Sequence, residues 1–255
     1  MKPRTDQIPA VSVGTIERIP HFPSNYVSPR HVDVWLPEGY DENGRYANGG
    51  YAVLYMHDGQ MLFDASMTWN KQSWGVADVM SSLAVRPCIV VGIWNSDAGR
   101  WLDYVPKRPF TTISPSIRDR ILDDVKQEDG IVQVQSDNYL KFIVDELKPH
   151  IDRTYATLPE RDNTFVAGSS MGGLISMYTL CEYPDVFSGA ACLSTHWIGM
   201  DDRKNNPFPD AVVTYLQANL PDPATHKIYF DYGTEELDAL YEPHQRSVDA
   251  VMKSK

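Results

Sequence analysis

A serine lies inside a glycine-rich stretch, GSSMG at residues 168–172, that fits the pattern G-x-S-x-G. The apolar run TFVAG before it predicts a buried strand, and MGGLISMYTLCEYP after it predicts a helix that stops at Pro184. A serine on such a strand-to-helix turn projects its hydroxyl above the sheet, where it can act as a nucleophile. The stretch lacks the Lys-Ser/Thr ending of a phosphate-binding loop and the G-x-G-x-x-G spacing of a dinucleotide site. Ser170 is therefore the predicted nucleophile, and a Gly/Ser-rich turn without chemistry is the alternative.

A nucleophilic serine needs N–H donors for the negative charge that develops on the attacked carbonyl oxygen. Met171 begins the helix after the serine, and the positive end of the helix dipole favours that charge. A second donor is expected from the loop HDGQ, which directly follows the buried strand YAVLYM. Gly59 allows the backbone to approach the oxygen closely, and the N–H of Gln60 is the alternative. We interpret His57 and Asp58 as residues that shape this loop through hydrogen bonds.

A cluster of carboxylates follows the last predicted strand, KIYFDYG at residues 227–233. The acid of a catalytic triad belongs after a late strand, beyond the nucleophile in sequence. Glu235, Glu236 and Asp238 all fit, and the pattern does not decide between them. Asp231 is expected to lie inside the strand and is the weaker candidate. The alternative is a solvated helix start, where acidic side chains complement the helix dipole.

These residues need a scaffold, and the chain alternates predicted strands with predicted helices. Two N-terminal segments, 14–19 and 30–36, alternate apolar and polar residues, as half-exposed strands do. The runs 51–56 and 88–94 are continuous and apolar, typical of strands covered on both faces, and 164–168 is a further short buried strand. Two more predicted strands, 188–194 and 227–233, complete the series. Helical spacing recurs at 72–85, 137–151, 171–184, 210–220 and 243–255. Asp137 is the expected N-cap of the second helix and Pro149 its end.

The pattern predicts an α/β fold with a doubly wound, mostly parallel sheet, in one domain over residues 1–255. Its N-terminal β section covers about residues 10–36. The segment PKRPFTTISPSIRDR contains three prolines, so residues 106–135 are predicted to be an irregular surface insertion and a candidate lid.

Composition narrows the class of protein and its partners. The chain has 255 residues, 42% of them apolar and 22% charged, and a net charge of −11, so nucleic acid and anionic membranes are not the expected partners. No run approaches the 18 to 20 apolar residues of a membrane span, and the N-terminus lacks the apolar centre of a signal peptide. We expect either a cytoplasmic protein or a secreted one whose signal was removed.

Cys88, Cys181 and Cys192 lack metal-site spacing and are predicted to be buried thiols.

Several separated segments resemble, in order, the Putative esterase family, which includes enterochelin esterases, esterase D and the feruloyl and acetylxylan esterases. They are VLYMHDGQMLFD, GIWN, HIDRTYATLPERDNTFVAGSSMGGLISMYTLCEYPDVFSGAACLSTHW and FDYGTEELDALYEPHQ. The resemblance runs from about residue 30 to the C-terminus and implies an α/β-hydrolase fold with serine ester hydrolysis and no metal or organic cofactor. It assigns the nucleophile to Ser170, the oxyanion hole to Met171 and the 58–60 loop, and the acid to 235–238. It also places the WN and THW segments along the cleft, so the expected substrate-binding residues are Trp94, Asn95, Arg100, His196 and Trp197, with packing as the alternative for the two tryptophans and His196.

The family's histidine follows the acid by a few tens of residues, after one more strand and before a last helix. Here only His244 follows the acid cluster, in a predicted helix too close to the acid to reach back, and His196 precedes the cluster. We therefore expect the histidine, with the last strand and helix, to lie beyond Lys255. The predicted function is serine carboxylic ester hydrolysis of a small or carbohydrate-linked ester of acetyl, feruloyl or siderophore type. The alternatives are a ligand-binding module that lacks the histidine and an acyltransferase on the same fold.

Overall fold

The computed structural model describes residues 7–43, 49–83, 86–125, 133–199, 206–235 and 237–255. The chain divides into two compact units, which we describe separately. The first comprises Met1–Ser96 and Lys141–Phe165, and the second comprises Asp97–Leu140 and Val166–Lys255.

The first unit is built on four strands: β1 (Thr15–Phe22), β2 (Arg30–Leu36), β3 (Ala52–His57) and β4 (Cys88–Ile93). β2 pairs antiparallel with both β1 and β4, and β3 runs parallel to β4 in the register Ala52 to Cys88. β3 and β4 confirm the two apolar runs of the sequence as adjacent parallel strands. The helix predicted between them is α1 (Val76–Ser82), so the expected strand–helix–strand crossover is present.

The prediction that β2 is half-exposed is wrong, because all seven of its residues are buried. The buried carboxylate of Asp33 is tolerated there because it is paired. Arg18 of β1 binds the carboxylate of Asp33 through two nitrogens, Nε to Oδ1 at 2.6 Å and the terminal nitrogen to Oδ2 at 2.7 Å. The indole Nε1 of Trp94 donates to the same Oδ2 at 2.8 Å, and the Arg18 guanidinium lies 4.6 Å from the centre of the Trp94 ring. The alternating pattern of β2 therefore did not indicate the buried charged network of Arg18, Asp33 and Trp94.

A continuous helical segment then runs through α5 (Ser136–Lys141), a π-helical stretch (Phe142–Leu147) and α6 (Lys148–Thr154). The predicted end at Pro149 is wrong, since the helix continues to Thr154. Pro149 lies in the first turn of α6, where the α-type hydrogen-bond ladder is already interrupted by the wide π turn and a missing N–H costs less. Asp137 is likewise inside the first turn rather than at the N-cap, because the helix begins at Ser136.

The second unit contains the remaining helices and strands, and β5 (Thr164–Ser169) leads into it. They are α2 (Arg100–Tyr104), α3 (Lys107–Thr112), α4 (Pro115–Asp124), α7 (Met171–Glu182), β6 (Gly189–Leu193), α8 (Phe208–Asn219), β7 (Lys227–Phe230) and α9 (Glu242–Lys253). β6 and β7 are parallel, with Gly189 opposite Lys227. α7 is apolar all round and buried along eleven of its twelve residues, which is typical of a helix enclosed by its own domain.

The expected irregular insertion at 106–135 is in part helical, which corrects the sequence interpretation. Pro106 directly precedes α3 and Pro115 is the first residue of α4. Proline favours such positions because its fixed φ suits a helix start and its missing N–H would have no intrahelical acceptor there. The prolines thus begin helices rather than exclude them. Residues 126–132 of the predicted insertion lie outside the described part of the chain.

The strands are ordered β1-β2-β4-β3-β5-β6-β7 in a seven-stranded, mixed and mostly parallel sheet. The predicted α/β class is therefore confirmed. In the described ranges, no helix combines the length and the apolar character that a membrane crossing requires.

Candidate active site

Ser170 occupies a strained turn between β5, which ends at Ser169, and α7, which begins at Met171. Its backbone has φ 59° and ψ −119°, a region that residues with a side chain avoid at a cost of about 1–3 kcal/mol. Two backbone hydrogen bonds hold it there: Ser170 N–H donates to the carbonyl of Leu193 at 2.9 Å, and His196 N–H donates to the carbonyl of Ser170 at 3.2 Å. The segment after β6 therefore fixes the serine that the sequence selected.

The first glycine of the G-x-S-x-G pattern is required by a close backbone contact. A Cβ at Gly168 would lie 2.6 Å from the carbonyl carbon and oxygen of Gly172, closer than real Cβ contacts allow. A side chain here would push the start of α7 away from the end of β5. The two glycines of the motif thus allow a tight turn, and the tight turn exposes the serine side chain.

Met171 is the first residue of a twelve-residue helix and is 5% exposed. The first N–H groups of a helix have no intrahelical acceptor, so its N–H can serve an oxygen near Ser170. The helix dipole adds a partial positive charge at the same end. Backbone and dipole together make this end of α7 suited to a developing oxyanion.

Two carboxylates are ordered in the segment after β7. That strand ends at Phe230, so the expectation that Asp231 lies inside it is wrong. Aspartate is rare inside strands, so Asp231 itself was a signal for predicting an earlier end of the strand. The Asp231 carboxylate accepts a hydrogen bond from Ser194 N–H at 2.8 Å. The Asp238 carboxylate accepts one from Gly233 N–H at 3.0 Å, and this bond closes the loop from Gly233 to Asp238. Glu235 is exposed, and Glu236 lies outside the described residues.

His196 lies in the segment that follows β6 and contacts Tyr241, a residue that the sequence analysis did not select. Its Nδ1 and the Tyr241 hydroxyl are 2.6 Å apart, and the rings meet edge to face at 5.6 Å. His196 is 8% exposed and Tyr241 1%. His244, the other histidine considered, lies half-buried on α9, and burial lowers the pKa of its imidazole despite the opposing effect of Asp210.

Trp197 and Arg100 make internal contacts in the second unit. The Trp197 indole N–H donates to Gln245 Oε1 at 3.0 Å, and its ring lies 5.3 Å from that of Phe230. The Arg100 guanidinium lies 5.0 Å from the centre of the Tyr104 ring. Trp197 is almost fully buried, so these contacts favour the packing interpretation for it.

In the first unit, the loop after β3 is already shaped. Asp58 adopts the left-handed conformation with φ 59° and ψ 46°, and a 3₁₀ turn follows over Gly59–Met61. Asn95 fixes this loop twice: its Nδ2 donates to Asp58 Oδ1 at 2.7 Å, and its N–H donates to Gln60 Oε1 at 3.2 Å. The interpretation of Asp58 as a residue that shapes the loop is thereby confirmed.

Gly59 is required by a close contact with the neighbouring strand, which is a different contact from the predicted approach to a substrate oxygen. A Cβ there would lie 2.6 Å from the carbonyl carbon and oxygen of Gly92, in the neighbouring strand. Gly59 and Gln60 begin a 3₁₀ turn, and first-turn N–H groups have no acceptor within the turn. The backbone of this loop can therefore offer donors without rearrangement. The Trp94 indole N–H donates to the Asp33 carboxylate, and Trp94 is only 8% exposed. These contacts favour the packing interpretation for Trp94.

The three cysteines are free thiols, and Cys181 and Cys192 are buried while Cys88 is half-buried. Burial raises the pKa of Cys88 to about 11 and that of Cys181 to about 12, and it raises the pKa of Cys192 as well. A thiol needs its thiolate form to attack, so these cysteines do not compete with Ser170 at neutral pH. Within the described ranges, no three His, Cys, Asp or Glu side chains are grouped as a metal ion would require.

The mostly parallel sheet, with a serine held in a strained turn between a strand and the following helix, defines the α/β-hydrolase class of fold. The chain belongs to the Putative esterase family, whose model matches residues 25–253.

Among curated proteins, the chain is 23% identical over 208 residues to the uncharacterized protein YbbA of Bacillus subtilis, covering 81% of this chain and 69% of that protein. It is 28% identical over 161 residues to the ferri-bacillibactin esterase BesA of the same organism, covering 62% and 50%. Among solved structures, the enterobactin esterase FES of Shigella flexneri superposes with a TM-score of 0.65 at 17% identity, over 98% of this chain and 54% of that one. A ferulic acid esterase gives 0.62 at 17% identity, over 96% and 87%. The chain thus spans about half the length of BesA and FES, and the structural likenesses establish the fold.

Proposed function

We propose that this protein hydrolyses carboxylic esters, with Ser170 as the nucleophile. The observation that carries the proposal is the backbone of Ser170, φ 59° and ψ −119° on a strand-to-helix turn. Ser170 Oγ attacks the ester carbonyl carbon while its proton passes to a histidine, and the tetrahedral intermediate collapses to an acyl-enzyme as the alcohol leaves with that proton. Water then attacks the acyl-enzyme by the same route and releases the acid. Hydrolysis of p-nitrophenyl acetate, followed by the absorbance of the released p-nitrophenolate, is the direct assay.

The oxyanion donors in this proposal are the N–H of Met171 and the N–H of Gly59 or Gln60. Met171 is supported by its place at the start of α7, and the loop is supported by its preformed turn. Removing one such donor costs about 10²–10³ in kcat in measured cases. A loop that provides a donor must also be held in place, and here Asn95 provides that restraint.

Replacing Asn95 with alanine removes the side-chain hydrogen bond to Asp58 and keeps the backbone N–H that bonds Gln60. The donor loop is then held less firmly while substrate contacts remain, so we expect kcat to fall by about 10- to 100-fold and KM to stay within about twofold. Steady-state kinetics with p-nitrophenyl acetate measures both constants. Asn219→Ala, at the end of α8, is the matched control and should leave both unchanged. A rise in KM with unchanged kcat would instead make Asn95 a substrate-binding residue, as the family resemblance implies.

The acid is proposed among Glu235, Glu236 and Asp238, and Asp238 is favoured. Its carboxylate is half-buried and oriented by Gly233 N–H, whereas Glu235 is exposed to solvent. An acid that orients a histidine must itself be held, because the pair works through a fixed hydrogen bond. Asp231, the weaker candidate in the sequence, is the rival, since its carboxylate is also held by a backbone N–H.

Asp238→Asn is expected to lower kcat by at least about 100-fold, while Glu235→Gln stays within about threefold of the parent. Kinetics of the four variants Glu235→Gln, Glu236→Gln, Asp238→Asn and Asp231→Asn identifies the acid as the one whose loss is greatest. Thermal unfolding of each variant separates a loss of chemistry from a loss of fold. A loss confined to Asp231→Asn would transfer the role to that residue.

The proposed substrates are small or carbohydrate-linked esters. The support is that similar proteins are named as a ferri-bacillibactin esterase and a ferulic acid esterase. The net charge of −11 adds that an uncharged substrate approaches more readily than a polyanion. Screening acetyl, hydroxycinnamoyl and catecholate esters against the protein tests this choice, and hydrolysis of none of them would refute it.

A further inference from the structure

The carbonyl of Ser170 receives a hydrogen bond from outside its own helix. Leu174 N–H donates to this carbonyl at 3.1 Å, as in any first helical turn, and His196 N–H donates to it at 3.2 Å. His196 belongs to residues 194–199, which follow β6 and which we call the post-β6 segment. A strained residue such as Ser170 persists only when its surroundings fix it, and the bond from His196 is part of what fixes it.

The carbonyl that His196 holds belongs to the same peptide group as the N–H of Met171. This peptide is trans, and a trans peptide group is planar, with its C=O and N–H pointing in opposite directions. Fixing the carbonyl therefore fixes the N–H. Because the Met171 N–H is a proposed oxyanion donor, the bond from His196 sets the direction of that donor as well as the conformation of the nucleophile.

The post-β6 segment is held by other parts of the second unit. Its first residue, Ser194, has a left-handed φ of 42°, so the segment is itself strained and needs such restraint. Bonds reach it from α2, from the loop after β7 and from the start of α9. They are Trp101 Nε1–H to the Gly199 carbonyl at 2.7 Å, Ser194 N–H to Asp231 Oδ1 at 2.8 Å, Trp197 Nε1–H to Gln245 Oε1 at 3.0 Å, and the contact of His196 with Tyr241.

The contact with Tyr241 acts directly on the residue that holds Ser170. His196 Nδ1 and the Tyr241 hydroxyl are 2.6 Å apart, and water has little access because both side chains are buried. A hydrogen bond in such surroundings is stronger than one in water. Tyr241 is fixed in turn, since its N–H donates to the Asp238 carbonyl at 2.9 Å and its carbonyl accepts from Gln245 N–H at 2.8 Å. The hydroxyl is therefore presented from a well-held helix start.

Resting on the proposed ester hydrolysis, we propose that Tyr241 is a positioning residue for the nucleophile turn. Its hydroxyl fixes the His196 imidazole, the His196 backbone N–H fixes the Ser170 carbonyl, and the shared peptide group fixes the Met171 N–H. The oxyanion forms only during the reaction, so a misdirected donor slows the reaction without weakening substrate binding. Tyr241 takes no part in proton transfer. It directly follows the 3₁₀ turn that begins at Asp238, so the favoured acid and the nucleophile turn are held by one piece of backbone.

The first experiment removes the hydroxyl and keeps the ring, so the variant should fold. Tyr241→Phe should lower kcat for p-nitrophenyl acetate about tenfold, leave KM within twofold and leave the shape of the pH profile of kcat unchanged. Tyr155→Phe is the matched control, because Tyr155 is 9% exposed and its hydroxyl donates to Glu17 Oε2 at 3.0 Å in the first unit. This control loses one phenolic hydrogen bond as well and should keep kcat within twofold. An unchanged kcat in Tyr241→Phe, a rise in KM alone, an altered pH profile or an equal fall in the control would overturn the proposal.

A second set of variants tests whether the effect of Tyr241 passes through His196. His196→Ala should lower kcat at least as much as Tyr241→Phe does. Adding Tyr241→Phe to His196→Ala should lower kcat less than twofold further, since the contact is already lost. His196→Asn keeps a polar atom near the place of Nδ1 and should bring kcat to within about threefold of the parent. Losses that multiply in the double variant, or an asparagine variant as slow as the alanine variant, contradict this route.

Hydrogen exchange separates the positioning role from the proposed function. A parent that hydrolyses no ester refutes the function, and exchange measured by NMR then decides the positioning role alone. The amide protons of Ser170 and His196, which bond to Leu193 and Ser170, should exchange about tenfold faster in Tyr241→Phe than in the parent. Those of α8 should be unchanged, and Tyr155→Phe should leave both sets as in the parent. Equal exchange at Ser170 and His196 in the parent and Tyr241→Phe refutes the positioning role, whether or not the protein is an esterase.

Discussion

Replacing Ser170 with alanine is expected to lower kcat for p-nitrophenyl acetate by about 10⁴-fold or more. The residues of a catalytic triad act together, so without the nucleophile the others contribute almost nothing to the rate. The substitution deletes only Oγ, and alanine must adopt the same strained backbone, so stability should not change. Ser169→Ala is the matched control, since Ser169 is the last residue of β5 and not the residue of the turn. Steady-state kinetics of the three proteins is the measurement.

Two further outcomes make this test decisive. A fluorophosphonate should label the parent and Ser169→Ala at Ser170, and should not label Ser170→Ala. Ser170→Gly should be inactive yet more stable by about 1 kcal/mol, because glycine relieves the strain at φ 59°. Unchanged turnover by Ser170→Ala would refute the nucleophile, and a parent that resists labelling and hydrolysis would favour the ligand-binding module.

Replacing Asp33 with alanine is expected to reduce the free energy of unfolding by about 3–5 kcal/mol. The substitution leaves the Arg18 guanidinium, whose side chain is 4% exposed, without its carboxylate partner. It also removes the acceptor of the Trp94 indole N–H. Urea denaturation followed by tryptophan fluorescence measures the change. The network joins β1, β2 and the residue after β4, so this loss should affect cooperative unfolding of the whole first unit.

The control for Asp33 is an ion pair at the surface. Glu242 pairs with Arg246 one helical turn away on α9, where both side chains are largely exposed and screened by water. Glu242→Ala should reduce the free energy of unfolding by no more than about 1 kcal/mol, which includes the loss of its interaction with the helix dipole. An Asp33→Ala variant as stable as its parent would show that the buried pair contributes no net stability.

Features that depend on neighbouring residues could be predicted from the sequence. The apolar runs that became β3, β4 and β5 were readable because burial on both faces leaves a continuous apolar stretch. Ser170 was selected over Ser169 because the strand before it and the helix after it leave one position for the turn. Gly168 followed from the same pattern, and its near contact with Gly172 gives the reason.

Pairings between residues that are distant in the chain are visible only in the folded structure. Tyr241 meets His196 from 45 residues away, Asp231 meets Ser194 from 37, and Trp94 meets Asp33 from 61. The alternation of polar and apolar residues in β2 indicated an exposed face, because a local pattern cannot show that Arg18 neutralises Asp33. Likewise the residues around Trp69 do not show that this tryptophan is 82% exposed. Such partners become neighbours only when the chain folds, so local periodicity and turn chemistry carry no record of them.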